Sequence, residues 1–145
     1  MLQNKRRLTI IGSGLIGIFL AMQVVHFFVP IFKRENPPAP YSVNWDAPQT
    51  AALWNTACAD CHSNHTDWRW YTQIAPVAWL VAYDVNVGRE ELNVSTDPNP
   101  EAGEMIESIQ NGEMPPSIYT ITHPDANLSA AEKDQLIVGI RATFR

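Results

Sequence analysis

The sequence predicts an all-α chain, with one apolar N-terminal helix followed by a small domain of short helices. Three observations carry that prediction. Leu8 to Phe32 is a run of 25 residues without an acidic or basic side chain, enough to cross a bilayer with some tilt. Downstream, apolar residues recur at three- and four-residue spacing, the mark of amphipathic helices. Nowhere does a convincing alternation of apolar and polar residues mark a strand.

The first element is the apolar run. Lys5, Arg6 and Arg7 precede it, and Lys33 and Arg34 follow. A cleavable secretory signal has a shorter apolar region and a small-x-small cleavage site. Ala21-Met22-Gln23 offers no such site, so the sequence predicts an uncleaved anchor over residues 1–34. Arg6-Arg7 reads as its positive-inside flank, and the excess of basic residues before the run favours an inner N-terminus. Gln23 and His26 fall within the predicted span. Polar residues there are functional candidates, and His26 faces either the headgroups or a partner subunit or cofactor.

Residues 35–48 read as a linker, because Pro37, Pro38, Pro40 and Pro48 oppose a continuous helix and favour an extended, semi-rigid chain. Residues 49–145 form the domain. Asp46 is placed to N-cap a first helix carrying Leu53, Trp54, Ala57 and Cys58. A second helix starts at Pro76, a good first-turn residue, and continues through Leu80, Val81 and Val87 toward Leu92. The third runs from about Asn99 to Asn111-Gly112 with Met105, Ile106 and Ile109 as its buried stripe. The last opens on the capping box Ser129-Ala-Ala-Glu132 and buries Leu136, Ile137, Ile140 and Phe144. Five tryptophans (45, 54, 68, 70 and 79) are expected in the core, packed around a flat apolar cofactor.

That cofactor is implied by residues 58–62, Cys-Ala-Asp-Cys-His, which contain the only two cysteines. Two thiols three positions apart can each form a thioether to one vinyl group of a porphyrin, and the next residue, His62, then lies beneath the iron as proximal ligand. The expectation is one covalent haem c on Cys58, Cys61 and His62. A thioredoxin-like reading needs a βαβ context that is missing. Zinc on Cys58, Cys61, His62 and His65 is disfavoured because adjacent Cys61 and His62 do not easily face one metal. A Cys58–Cys61 disulfide would close a very tight loop and stabilise little.

The second axial position has several candidates. His65 is too near His62 in sequence to reach the opposite face, and Met105 sits in a helix stripe suited to the core. Met114 follows the helix-ending Gly112 and precedes Pro115-Pro116, so it lies on a stiff, extended segment. It is the expected distal ligand, and a thioether there raises the reduction potential. His123, also before a proline, is the alternative. Its other role would be a hydrogen bond fixing a loop or a propionate. Tyr119 is the remaining candidate.

The chain resembles a known family at this point: the single-haem haem-binding domain family of bacterial membrane-anchored cytochromes, distant relatives of cytochromes c. The matching residues are Cys58-Ala-Asp-Cys-His-Ser-Asn-His-Thr-Asp-Trp68, Trp70-Tyr71, Ile74-Ala-Pro-Val-Ala-Trp-Leu80, Asp84-Val85, Gly88-Arg89, Leu92-Asn93, Gly112-Glu-Met-Pro-Pro116, Tyr119 and His123-Pro124. The resemblance covers roughly residues 36–140 and includes the Arg34-Glu-Asn-Pro-Pro38 run after the anchor. Arg69 stands where the family usually has proline, and Val94 where it usually has phenylalanine. The resemblance implies a cytochrome-c-like helical fold after the transmembrane helix, haem held by Cys58, Cys61 and His62, and Met114 as distal ligand.

Attachment of haem c takes place outside the energy-transducing membrane, which puts the domain on the periplasmic side of a bacterial inner membrane, with the N-terminus cytoplasmic. Residues 35–145 hold 5 basic and all 15 acidic side chains, a net charge of −10. Such a field steers basic partners or maintains solubility, and the absence of a basic patch beyond the membrane flank argues against nucleic acid. No Ser/His/Asp arrangement or distal His–Arg pair suggests catalysis. The expected role is a tethered electron carrier, serving a larger respiratory or photosynthetic membrane complex through redox partner proteins. The alternatives are a haem-based redox or gas sensor, and a structural subunit whose span packs in a complex.

Overall fold

The computed structural model describes residues 2–144, and among them every regular element is helical. Seven α-helices occur: α1 (Leu2–Gln23), α2 (Pro48–Ala57), α3 (Ala59–His62), α4 (Val77–Glu91), α5 (Ala102–Gln110), α6 (Ser117–Thr122) and α7 (Ala130–Thr143). Four short 3-10 turns accompany them. The chain divides into two compact units that cut across the boundaries suggested by composition. One comprises residues up to Glu35 together with Trp68–Asn86; the other comprises Asn36–Asp67 and Val87 onward. Helix α4 contributes its first ten residues to the former and its last five to the latter.

In the first unit, α1 and the turn after it, residues Gln3–Phe27, have a mean hydropathy of 2.1 and are long and apolar enough to cross a membrane. The helix ends at Gln23 rather than continuing to Phe32. Two 3-10 turns follow, Val25–Phe27 and Pro30–Phe32, the second opened by Pro30, which cannot donate to a continuing helix. The polar residues at this exit are satisfied by the protein. Gln23 Oε1 accepts from the Ala75 N–H (2.9 Å), His26 Nδ1 lies 3.1 Å from the Gln23 carbonyl, and Arg34 donates to the Thr72 carbonyl (2.9 Å). Asn86 Nδ2 bonds the carbonyls of Ile31 and Lys33, and Trp79 stacks on Phe32.

The second unit is built on α2, α5 and α7, whose apolar stripes meet in one core of Trp54, Met105, Ile106, Ile109, Leu136, Ile137, Ile140 and Phe144, among others. Helices α2 and α7 cross where Gly139 faces Thr50: a Cβ at 139 would overlap the Thr50 side chain, so only glycine permits this approach. The capping box opens α7 as expected, with Ser129 and Glu132 each bonding the other's backbone N–H. Asp46 is not the cap of α2. Pro48 opens that helix behind Ala47, and Asp46 is paired instead with Thr143, whose hydroxyl accepts from its N–H (3.1 Å). The prolines at 37, 38 and 40 do keep residues 36–47 free of helix. It is nonetheless bound to its own unit: Asn64 donates to the Pro38 carbonyl and the Tyr41 N–H to that of Ser95. The tryptophans differ in role. Trp54 is buried and Trp45 packs between it and Phe144, whereas Trp70 is 76% exposed.

Candidate haem site

Helix α2 delivers Cys58 to its C-terminal end, where the residue leaves helical geometry (φ −128°, ψ −38°). The helix that carries Trp54 and Ala57 is therefore broken at Cys58. A fresh turn, α3, begins at once: the Cys58 carbonyl accepts from the N–H groups of Cys61 (3.2 Å) and His62 (3.0 Å). The Cys-Ala-Asp-Cys-His segment is thus one compact turn with His62 at its end.

The last turns of α4 lie directly against it. A Cβ on Gly88 would come 2.9 Å from the Cys61 carbonyl oxygen and 3.1 Å from Cys61 Cβ, so glycine is what lets the two backbones approach. This contact brings the Gly88 and Leu92 carbonyls each to 3.1 Å from His62 Nδ1. Both are pure acceptors, so Nδ1 carries the proton and Nε2 keeps its lone pair. Burial lowers the His62 pKa, the two hydrogen bonds opposing it in part, and so favours the neutral ring. A neutral imidazole, oriented through one nitrogen by backbone carbonyls, is the usual arrangement of a metal-ligating histidine.

Burial, reinforced by the nearby Cys61, pushes the Cys58 thiol up to about 12. Arg89 braces the loop beyond the histidine, donating from Nε to the Ser63 carbonyl (2.8 Å) and from Nη2 to Thr66 Oγ1 and Asn36 Oδ1.

Cys58 and His62 open onto a cavity of about 500 Å³, within the usual range for a cofactor site. Its apolar wall is Trp54, Ala57, Leu92, Met105 and Ile109, and Met114 lines it as well. Gly112 ends α5 at φ +75°, a conformation glycine adopts without cost, and the Glu113 and Met114 N–H groups both return to the Ser108 carbonyl (3.0 and 3.1 Å). Glu90, Glu91, Asp97, Glu101 and Glu104 rim this cavity, with Arg89 the one basic side chain among them. A neighbouring cavity of about 680 Å³ contains no sulfur side chain and not His62, although Trp54 borders both. The smaller cavity is the one lined by Cys58, His62 and Met114.

The other candidates lie elsewhere. His123 does not line the cavity. It stacks on Tyr119 (ring centroids 4.0 Å apart), with Nε2 3.9 Å from Asp60 Oδ2, while Tyr119 donates to the same carboxylate oxygen at 2.9 Å. Both therefore brace the attachment turn through Asp60. His65 is exposed and lines the neighbouring cavity. Met105 is at once core and cavity wall. His26 is engaged at the exit of α1. Sequence reasoning did not find Gly88 or the Leu92 carbonyl as the elements that orient His62: a glycine inside a helical pattern and a backbone oxygen carry no signal of their own.

The all-helical unit thus joins a partly apolar cavity to a neutral, backbone-oriented histidine and two nearby cysteines. The chain belongs to the haem-binding domain family, whose sequence model matches residues 18–142. Comparisons with curated proteins and with solved structures found no match.

Proposed function

We propose that this chain is a membrane-tethered monohaem cytochrome of c type that carries single electrons on the periplasmic side of a bacterial inner membrane. Cys58 and Cys61 would hold the haem by thioethers, and His62 Nε2 and Met114 would ligate its iron. The observation that carries the reading is the His62 geometry: its Nδ1–H is fixed by two carbonyls and its free Nε2 belongs to a residue lining the cavity that Met114 also lines. When bound, the haem supplies a one-electron couple, and a thioether ligand biases it toward the reduced form. The protein's own contribution is to hold the axial groups, exclude water with Trp54, Leu92 and Ile109, and present an acidic rim to basic partners. The apolar α1 serves as an uncleaved anchor that confines encounters with a respiratory or photosynthetic complex to the membrane plane.

Optical spectroscopy of the purified holoprotein tests the ligand set. The oxidised protein is expected to show a weak far-red thioether-to-iron band that Met114→Ala abolishes and His123→Ala leaves in place. High-spin ferrous iron that takes carbon monoxide readily in the unaltered protein would overturn the reading and favour a gas sensor.

A further inference from the structure

We propose that the aromatic and aliphatic face of residues 70–83 is a membrane-contact surface, seated in the headgroup and upper acyl layer of the bilayer that α1 crosses. The proposal rests on the anchor reading of α1.

The apolar helical part of α1, Leu8 to Gln23, rises about 24 Å, short of the roughly 30 Å of a hydrocarbon core. Val24, Val25, Phe27, Phe28 and Val29 supply the remaining apolar length outside the helix, and Phe28 is 81% exposed. The Gln23 level of the chain must then sit inside the outer membrane boundary. At that level Gln23 Oε1 binds the Ala75 N–H, which brings the start of α4 with it. At the other end Asn86 is bound to the Ile31 and Lys33 carbonyls, beside the basic pair Lys33-Arg34. Residues 74–86 are thereby ordered in depth, shallowest near Asn86.

The chemistry follows the same gradient. Trp70, Ile74, Val77, Leu80 and Tyr83 are all exposed, and Val77, Leu80 and Tyr83 succeed one another at three-residue steps on α4. Between Trp68 and Asn86 the charged side chains are Arg69 and Asp84. Asp84 shares the stripe but lies about 10 Å along the helix from Val77, at the shallow end. Scattered exposed apolar residues are ordinary on a soluble surface. An aliphatic set flanked by a tryptophan and a tyrosine, on a segment hydrogen-bonded to the mouth of a membrane helix, suits the membrane interface.

The test uses the full holoprotein in phosphatidylcholine–phosphatidylglycerol vesicles with two photoactivatable lipids, one carrying its diazirine near the headgroup and one at the acyl terminus. Labelled residues are mapped by mass spectrometry. The terminal probe is expected on α1 around Leu15 to Leu20, and the shallow probe on Trp70, Ile74, Val77 and Leu80. Shallow labelling confined to Val24–Val29, with residues 70–83 unlabelled, would overturn the proposal while leaving the anchor intact. Protection of residues 70–83 accompanied by crosslinked dimers would overturn it in favour of a second copy. Failure of the terminal probe to label α1 would remove the anchor reading itself, and the proposal with it.

Discussion

His62 is oriented by two backbone carbonyls, and those carbonyls are within reach because residue 88 has no side chain. The cysteines and the histidine stand out in the sequence because the thioether attachment proposed for them would fix their spacing. Gly88 was not, since its role exists only once α4 lies on the attachment turn. Gly88→Ala pushes a methyl against the Cys61 carbonyl, at 2.9 Å, and is expected to cost about 1–3 kcal/mol as overpacking does. A lowered thermal midpoint together with a perturbed haem spectrum checks it; an unchanged spectrum would mean that the contact does not position His62. Asp84 offers a pH test. Partial burial of this largely exposed carboxyl raises it above the ordinary value of 3.8, so the folded chain holds that proton somewhat more tightly than the unfolded one, by an amount that solvent screening keeps small. The ionised group therefore costs stability above the raised pKa and costs nothing below 3.8. Thermal melts should show Asp84→Asn stabilising at pH 7 and the gain shrinking as pH falls toward 4.

Helices with a strong local signature were the readable ones. The Ser129–Glu132 box and the stripe of Met105, Ile106 and Ile109 identify α7 and α5 because both patterns are local. Their packing partners are not local, and the Thr50–Gly139 crossing has no one-dimensional trace. Helix α2 shows a second limit. Asp46 has the right side chain for a cap, but its pairing with Thr143 removes it, and Pro48 opens the helix in its place. Helix α6, six residues long, offered no periodicity to detect. At this scale Gly139→Ala is expected to lower stability by about 1–3 kcal/mol, because the new methyl meets Thr50. Ser129→Ala should cost about 1 kcal/mol through loss of the cap. Thermal unfolding followed by far-UV circular dichroism measures both, and a neutral Gly139→Ala would show that α2 and α7 separate without penalty.

For the whole chain, composition suggested an anchor, a spacer and a domain in sequence. The compact units interleave instead, with Trp68–Asn86 joining the N-terminal helix and residues 36–48 joining the unit that carries the cavity. Proline content explains why 36–47 is free of helix but says nothing about what that stretch binds. Likewise the five tryptophans, expected together in the core, divide between core positions such as Trp54 and the exposed Trp70. The central claim is that one haem is held covalently through Cys58 and Cys61 beside His62. Intact and peptide mass spectrometry after acid–acetone extraction tests it most directly. The account predicts that the chain keeps the added mass of a single haem, mapped to the peptide containing residues 58–62, with neither cysteine open to alkylation. Haem released into the acetone, leaving two alkylatable thiols, would contradict it.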